Sequence, residues 1–183
     1  MKPVIRTIGH STRSFEEFIR LLTAHQIQQL VDVRRYPFSR RHPHFNGELL
    51  AKSLSESGIA YTHAPGLGGR RKARPDSVNL GWRNESFRGY ADYMQTDEFA
   101  MALKELLAQS QHRATAIMCA EAVPWRCHRQ LIADALVSRG WTVRHIMSRE
   151  KAGPHSLTPF VKLESGLLIY PEPKETASTP SLF

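Results

Sequence analysis

Cysteine is scarce in this chain of 183 residues: there are two, Cys119 and Cys127. Two thiols cannot build the disulfide framework of a small secreted domain, so the fold must rest on its apolar core. No apolar run approaches the roughly 20 residues needed to span a bilayer. The opening Met1-Lys2-Pro3-Val4-Ile5-Arg6 puts charges where a signal peptide needs its apolar centre. No membrane partner is therefore expected, and a cytoplasmic, reducing compartment is. Acidic residues are also short, 17 against 25 Lys and Arg, for a formal net charge of +8 and a pI near 9.9. That balance favours a phosphorylated small molecule or a nucleic acid as partner. Internal repeats are absent, which excludes solenoids and propellers. What remains is ordinary globular usage, 41% hydrophobic and 23% charged, in a length that suits one domain.

The apolar pattern switches repeatedly between period 2 and period 3.6. Residues 4–8 read as a first strand, ended by Gly9-His10. Ser14 and Glu17 then have capping-box spacing, and Phe15, Phe18, Ile19 and Leu22 form the stripe of a helix. Residues 29–33 form a second strand. A helix over 47–57 follows, with Leu49, Leu50 and Leu54 inward and Gly58 closing it. Residues 59–63 form a third strand, followed by the longest irregular stretch, about 64–85, of the kind that is functional or mobile. Short helical spacing over 86–93 leads to Thr96, an N-cap for a helix with Phe99, Leu103, Leu106 and Leu107 inward. The blunt apolar run 114–118 is a strand buried on both faces. A helical pattern opening at Trp125 places Cys127, Leu131 and Ala135 on one face, closes at Gly140, and precedes a strand over 141–146. Segments 160–163 and 167–170 form a hairpin-like appendage turning at Ser165-Gly166. The pattern predicts an α/β fold of three layers, a mainly parallel sheet of about five strands flanked by helices. It would occupy residues 1–170 as a single domain, with a flexible tail over 171–183.

In such folds ligands gather outside the carboxyl ends of the strands. His10 follows the first strand there, Asp32 and Arg34 the second, His63 the third, Cys119 and Glu121 the fourth, and His145 ends the fifth. Cys119 as nucleophile needs a thiolate, which a helix N-terminus and Arg126 or Arg129 would promote; the alternative is a buried core cysteine. Glu121 could transfer protons or pair with those arginines, and Asp32 could orient a catalytic group or cap backbone amides. His10 could touch a phosphate or act as base, or bond only its own turn. Arg34, Arg126 and Arg129 are candidates to hold an anion, with His128 beside them unless it is a packed helix histidine. Arg40 and Arg41 extend a basic loop interleaved with Tyr36, Phe38 and Phe45, the composition that stacks bases and grips phosphates. Gly68 and Gly69 could cradle a phosphate, although the P-loop Gly-Lys-Ser/Thr ending is lacking. Zinc held by Cys119, Cys127 and His128 matches no finger or ribbon spacing and would borrow a fourth ligand, His10 or His63, so no metal is expected.

Six segments run in a familiar order: Thr7-Ile8-Gly9-His10-Ser11, Val31-Asp32-Val33-Arg34, Pro37-Phe38-Ser39, Gly66-Leu67-Gly68-Gly69, Cys119-Ala120-Glu121 with Cys127-His128-Arg129, and Leu157-Thr158-Pro159-Phe160. With these the chain resembles domain-of-unknown-function family 488 over nearly its whole length, to about Tyr170. The resemblance implies an α/β domain of bacterial type with its site among those residues, and carries no activity or cofactor with it. A weaker architectural similarity is to rhodanese and the cysteine phosphatases, in which a strand end like Asp32 and Arg34 accompanies a strand ending in a nucleophilic cysteine. Here six residues separate Cys119 from Arg126, the loop has no glycine, and Glu121 stands in it.

Three functions stay open. The first is an enzyme acting on a phosphorylated, nucleotide or nucleic-acid substrate at this rim. The second is a non-catalytic nucleic-acid-binding module. The third is a thiol redox or sulfur-transfer protein using Cys119 and Cys127.

Overall fold

The computed structural model describes residues 2–173, so the tail expected over 171–183 falls almost entirely outside the described residues. Eight strands and five helices follow one another as β1 (Val4–Gly9), α1 (Phe15–Ala24), β2 (Gln29–Asp32), α2 (Gly47–Glu56), β3 (Ala60–His63), α3 (Glu85–Tyr93), α4 (Asp97–Ser110), β4 (Thr115–Cys119), α5 (Arg129–Ser138), β5 (Thr142–Ile146), β6 (Ala152–Pro154), β7 (Lys162–Glu164) and β8 (Leu167–Ile169). The first six strands make one sheet in the order β3-β2-β4-β1-β5-β6, parallel except where β6 runs against β5. β7 and β8 pair as an antiparallel hairpin, turning through Ser165 and Gly166 at φ 50° and 80°.

Successive residues of each central strand face opposite cores. Ile5, Val31, Ile117 and Val143 pack with α3, α4 and α5, while Ile8, Leu30, Ala116 and Met118 pack with α1 and α2. β2 and β4 are buried at every position, as both faces of a parallel sheet require once helices cover them. The caps foretold from sequence are made: Ser14 Oγ accepts from the Glu17 amide and Thr96 Oγ1 from the Phe99 amide. Asn84 Oδ1, accepting from Ser86 and Phe87, starts α3 in the same way. Gly58 ends α2 at φ 73°.

Three expectations need correction. Leu49 points to solvent at 52% exposure, because the stripe of α2 is carried by Leu50 and Leu54 alone. β6 adds a sixth strand to the sheet, which Ala152-Gly153-Pro154 is too short and too lacking in alternation to announce. The stretch opening at Trp125 is not one helix. Pro124–Arg126 forms a turn of 3-10 helix, Cys127 is extended (φ −141°, ψ 151°), and α5 starts only at Arg129.

The connections decide where a ligand can enter. From β1 the chain crosses to α1 on one face of the sheet, whereas from β4 it crosses to α5 on the other. β1 and β4 are neighbours, paired Gly9 to Cys119 at their carboxyl ends. The loops diverge there and leave a crevice at the switch point.

Candidate functional site

Two loops leave this crevice locked together. The amides of His10 and Ser11 donate to the carbonyls of Cys119 (3.0 Å) and Ala120 (2.9 Å), extending the β1–β4 ladder past the strand ends. The loop after β4 then crosses directly over Gly9. A Cβ at Gly9 would overlap the Glu121 carbonyl oxygen and sit 2.7 Å from its carbon, so no other residue fits without moving that loop. From below, the Arg129 guanidinium donates to the same Glu121 carbonyl, with Ala122 O at 3.5 Å and Thr7 Oγ1 at 3.4 Å. Arg129 is 1% exposed. Its charge is spent on carbonyl dipoles inside the protein, which shapes the loop and leaves none of it for an anion outside.

The crevice opens into a cavity of about 260 Å³ lined by His10, Arg34, Arg35, Tyr36, Phe38, Ser39, Gly69, Arg70, Cys119, Ala120, Glu121 and His128. Arg34 is held by a fully buried Asp32, with Nε to Oδ1 at 2.9 Å and Nη2 to Oδ2 at 2.6 Å; Nη2 also donates to Phe45 O. Tyr61 donates to the same carboxylate at 2.8 Å. Bonded on that edge, the guanidinium presents Nη1 towards His10 Nε2, 3.4 Å away. The His10 ring is stacked on Phe45 and its Nδ1 meets the Ser11 carbonyl, an acceptor only, so Nδ1 carries the hydrogen and Nε2 the lone pair. Burial first, and then the Arg34 charge, bring the His10 pKa down to about 4 against the Ser11 hydrogen bond, so the ring is neutral at pH 7.

The thiols form the second half of the site. His128 Nε2 lies 2.9 Å from the Val33 carbonyl and must donate to it, which turns the Nδ1 lone pair towards Cys127 Sγ at 3.6 Å and Cys119 Sγ at 3.9 Å. Gly69 backs the ring, where a Cβ would come within 2.9 Å of Nδ1. The two cysteines titrate as a pair. Donating to Cys127, together with burial, pushes the Cys119 thiol up. Burial works against a Cys127 thiolate too, but the hydrogen bond from Cys119, the neighbouring His128 ring and the nearby charge of Arg129 outweigh it and bring that thiol down. The pair thus favours negative charge on Cys127, hydrogen-bonded by Cys119, and Cys119 is the member that lines the cavity.

A family model described as "Domain of unknown function DUF488" matches residues 14–136, which contain every cavity residue except His10. The chain belongs to the DUF488 family. Comparison with curated proteins and with solved structures finds no match. These comparisons add nothing to the likeness to rhodanese and the cysteine phosphatases. In this DUF488 chain the loop after the cysteine accepts hydrogen bonds through its Glu121 and Ala122 carbonyls, where an anion loop would turn amides inward.

Of the sequence candidates, the structure brings His10, Arg34, Cys119, Glu121, His128 and Gly69 to one cavity wall, with Asp32 directly behind Arg34. Arg126, Arg40 and Arg41 are exposed and lie off that wall, and Arg129 is turned inward beneath it. Gly68 is small because its Cα runs against Arg35, where a Cβ would meet Arg35 Cα at 2.7 Å. His63 does not line the cavity; its Nε2 donates to the Arg34 carbonyl at 2.9 Å. His145 lies off the wall too, in a buried chain described below. Arg35 and Arg70 were missed as site residues. Their only signal was membership of basic runs, and what places them is the Arg35 Nη1 bond to the Arg70 carbonyl at 2.9 Å. The 64–85 stretch is tied down by Asp92 of α3, which accepts from the Arg74 amide (2.8 Å), Ser77 Oγ (2.6 Å) and Asn79 Nδ2 (2.8 Å).

Proposed function

We propose that this DUF488 chain is an enzyme acting on a phosphorylated nucleotide or a nucleic-acid end. What carries the reading is a single cavity lined by Cys119 and Glu121 together with Arg34, Arg35 and Arg70. Two rings at its mouth, Tyr36 and Phe38, are 60% and 64% exposed, beyond what a core would tolerate and as a stacked base requires. Arg35 and Arg70 can offer paired N–H donors to phosphate, and Arg34 adds Nη1 from a guanidinium already oriented by Asp32, so little ordering remains there on binding. Neutral His10 offers a lone pair beside Arg34, and Glu121 a carboxylate, for moving a proton. Cys119 is the nucleophile or the metal-binding thiol of the reaction. A reducing cytoplasm, in which both thiols stay reduced, belongs to the same proposal.

A second reading has its own observation. Arg40 and Arg41 are exposed in the same basic loop as Tyr36 and Phe38, which is how a non-catalytic module would track a strand. The test is binding and turnover together, with a panel of nucleoside monophosphates and 5′-phosphorylated oligonucleotides at low and high salt. Turnover abolished in Glu121→Gln while binding persists supports the enzyme. Binding of long strands without turnover, weakened mainly by Arg40→Ala and Arg41→Ala, supports the module instead.

A further inference from the structure

We propose that Cys119, Cys127 and His128 form a zinc site whose fourth position opens into the cavity. The Cys119 Sγ, Cys127 Sγ and His128 Nδ1 atoms lie within 4.8 Å of one another. Tetrahedral zinc, with Zn–S near 2.3 Å and Zn–N near 2.05 Å, needs donor separations of about 3.6 Å from nitrogen to sulfur and about 3.8 Å between sulfurs. The nitrogen-to-sulfur distances are 3.6 and 3.9 Å, so binding asks only for small side-chain adjustments.

The imidazole supplies the independent reason. Because Val33 O can only accept, His128 Nε2 is the N–H and Nδ1 the bare nitrogen. That bare nitrogen faces both sulfurs, at 3.6 and 3.9 Å, so a cation placed among the three takes all of them as ligands at once. A carbonyl behind the second ring nitrogen is also what metal-bound histidines have, since it fixes tautomer and ring plane. Two thiolates and an imidazole select zinc over magnesium or calcium, which take oxygen donors.

The fourth ligand expected from sequence, His10 or His63, is engaged elsewhere: His10 with Ser11 O and Arg34, His63 with Arg34 O. Three protein ligands with an open vertex are the pattern of catalytic zinc, and structural zinc closes all four. Cys119 and His128 both line the cavity while Cys127 does not, so the vertex left over faces the substrate space.

The role of that vertex rests on the enzyme reading above; the metal site itself does not. Zinc-bound water would give a proton to the Glu121 carboxylate, its oxygen would bond to an electrophilic carbon or phosphorus of the substrate, and the proton would go on to the leaving group. One water is consumed and no oxidant or reductant is required.

The test uses the whole chain purified under reducing conditions, freed of metal and titrated with Zn2+ and, separately, Co2+. We expect one equivalent bound, a thiolate-to-cobalt charge-transfer band with tetrahedral d–d bands, and protection of both wild-type cysteines from alkylation by one equivalent of Zn2+. Cys119→Ser, Cys127→Ser and His128→Gln should each weaken zinc by more than the roughly 10–100-fold that loss of an outer partner costs. The alkylation arm needs no variant and stays decisive if a variant fails to fold. Absence of stoichiometric binding, unprotected thiols, or ready formation of a Cys119–Cys127 disulfide in place of metal uptake would overturn the site. Zinc bound as described without turnover of any phosphorylated substrate supports the site and counts against the enzyme reading. Turnover by metal-free protein supports the enzyme and overturns the zinc-water step.

Discussion

Gly9→Ala is the smallest change that strikes the whole construction. The new methyl overlaps the Glu121 carbonyl oxygen and lies 2.7 Å from its carbon and 3.0 Å from Ala122 Cα, all backbone atoms. Reaching ordinary carbon contact requires the loop to lift by roughly 1 Å. The loop cannot lift while keeping its bond to Arg129, whose guanidinium is buried and pinned at Thr7. Overpacking of this kind costs about 1–3 kcal/mol, and a lost hydrogen bond to a buried charge about 1.5–3 kcal/mol. The sum, about 2.5–6 kcal/mol, is a large share of an ordinary domain's stability. Urea unfolding followed by circular dichroism would read it as a lower midpoint with unchanged slope. Gly153→Ala is the control, since a Cβ there meets nothing within 4 Å, and should stay within about 0.5 kcal/mol of wild type. A Gly9→Ala protein within 1 kcal/mol of wild type would refute the account of why the loop sits where it does.

Other perturbations follow from the same geometry. Asp32→Asn leaves Arg34 buried without its counter-ion and should cost about 3–5 kcal/mol in the same assay, with weaker nucleoside monophosphate binding; a cost under 1 kcal/mol would show that Asp32 does not hold Arg34. Leu50→Ala should cost about 2–5 kcal/mol while Leu49→Ala costs about 0.5 kcal/mol or less, and equal losses would mean that α2 is rotated. His145 is neutral in a buried chain: it accepts from Thr7 Oγ1 (2.8 Å) and donates to His155 Nδ1 (3.0 Å), and His155 donates to Asp134 (2.8 Å). Burial first, then the neighbouring His155 and Arg129, lower its pKa from 6.5 to about 4. The unfolded chain therefore takes up a proton between those values that the folded chain refuses, so stability is full above pH 6.5 and falls as pH drops towards 4. Full conversion of that shift is about 3 kcal/mol, or about half after solvent screening, and His145→Gln should flatten that part of the pH–stability curve.

Legibility in the sequence followed the range of the interaction. Ser14 and Thr96 cap by bonding three residues ahead, and strand ends follow from a few apolar neighbours, so the layers and the rim positions of His10, Arg34, Cys119 and Glu121 could be read directly. Leu49 and Leu50 differ in a helix short enough that a stripe drawn one residue too wide still looks regular. Cys127 was assigned to a helix because its spacing to Leu131 and Ala135 fits 3.6, and the 3-10 turn at Pro124 that shifts its phase leaves no periodic trace. Arg129 reads as a surface cation until the loop over Gly9 encloses it. The Asp92 and Asp134 networks join segments far apart in the chain; Thr158 reaches Asp134 across 24 positions and Tyr170 across 36, distances over which a single sequence carries no pairing signal.

One measurement bears most directly on the claim that a single cavity holds both the anion and the thiols: a crystal structure of the protein with a bound nucleoside monophosphate. The account predicts phosphate density within hydrogen-bond distance of Arg34 Nη1 and Arg35 or Arg70, the base against Tyr36 or Phe38, and Cys119 on the same wall. A nucleotide seated on Arg126, Arg40 and Arg41 with the Cys119 side vacant would contradict it.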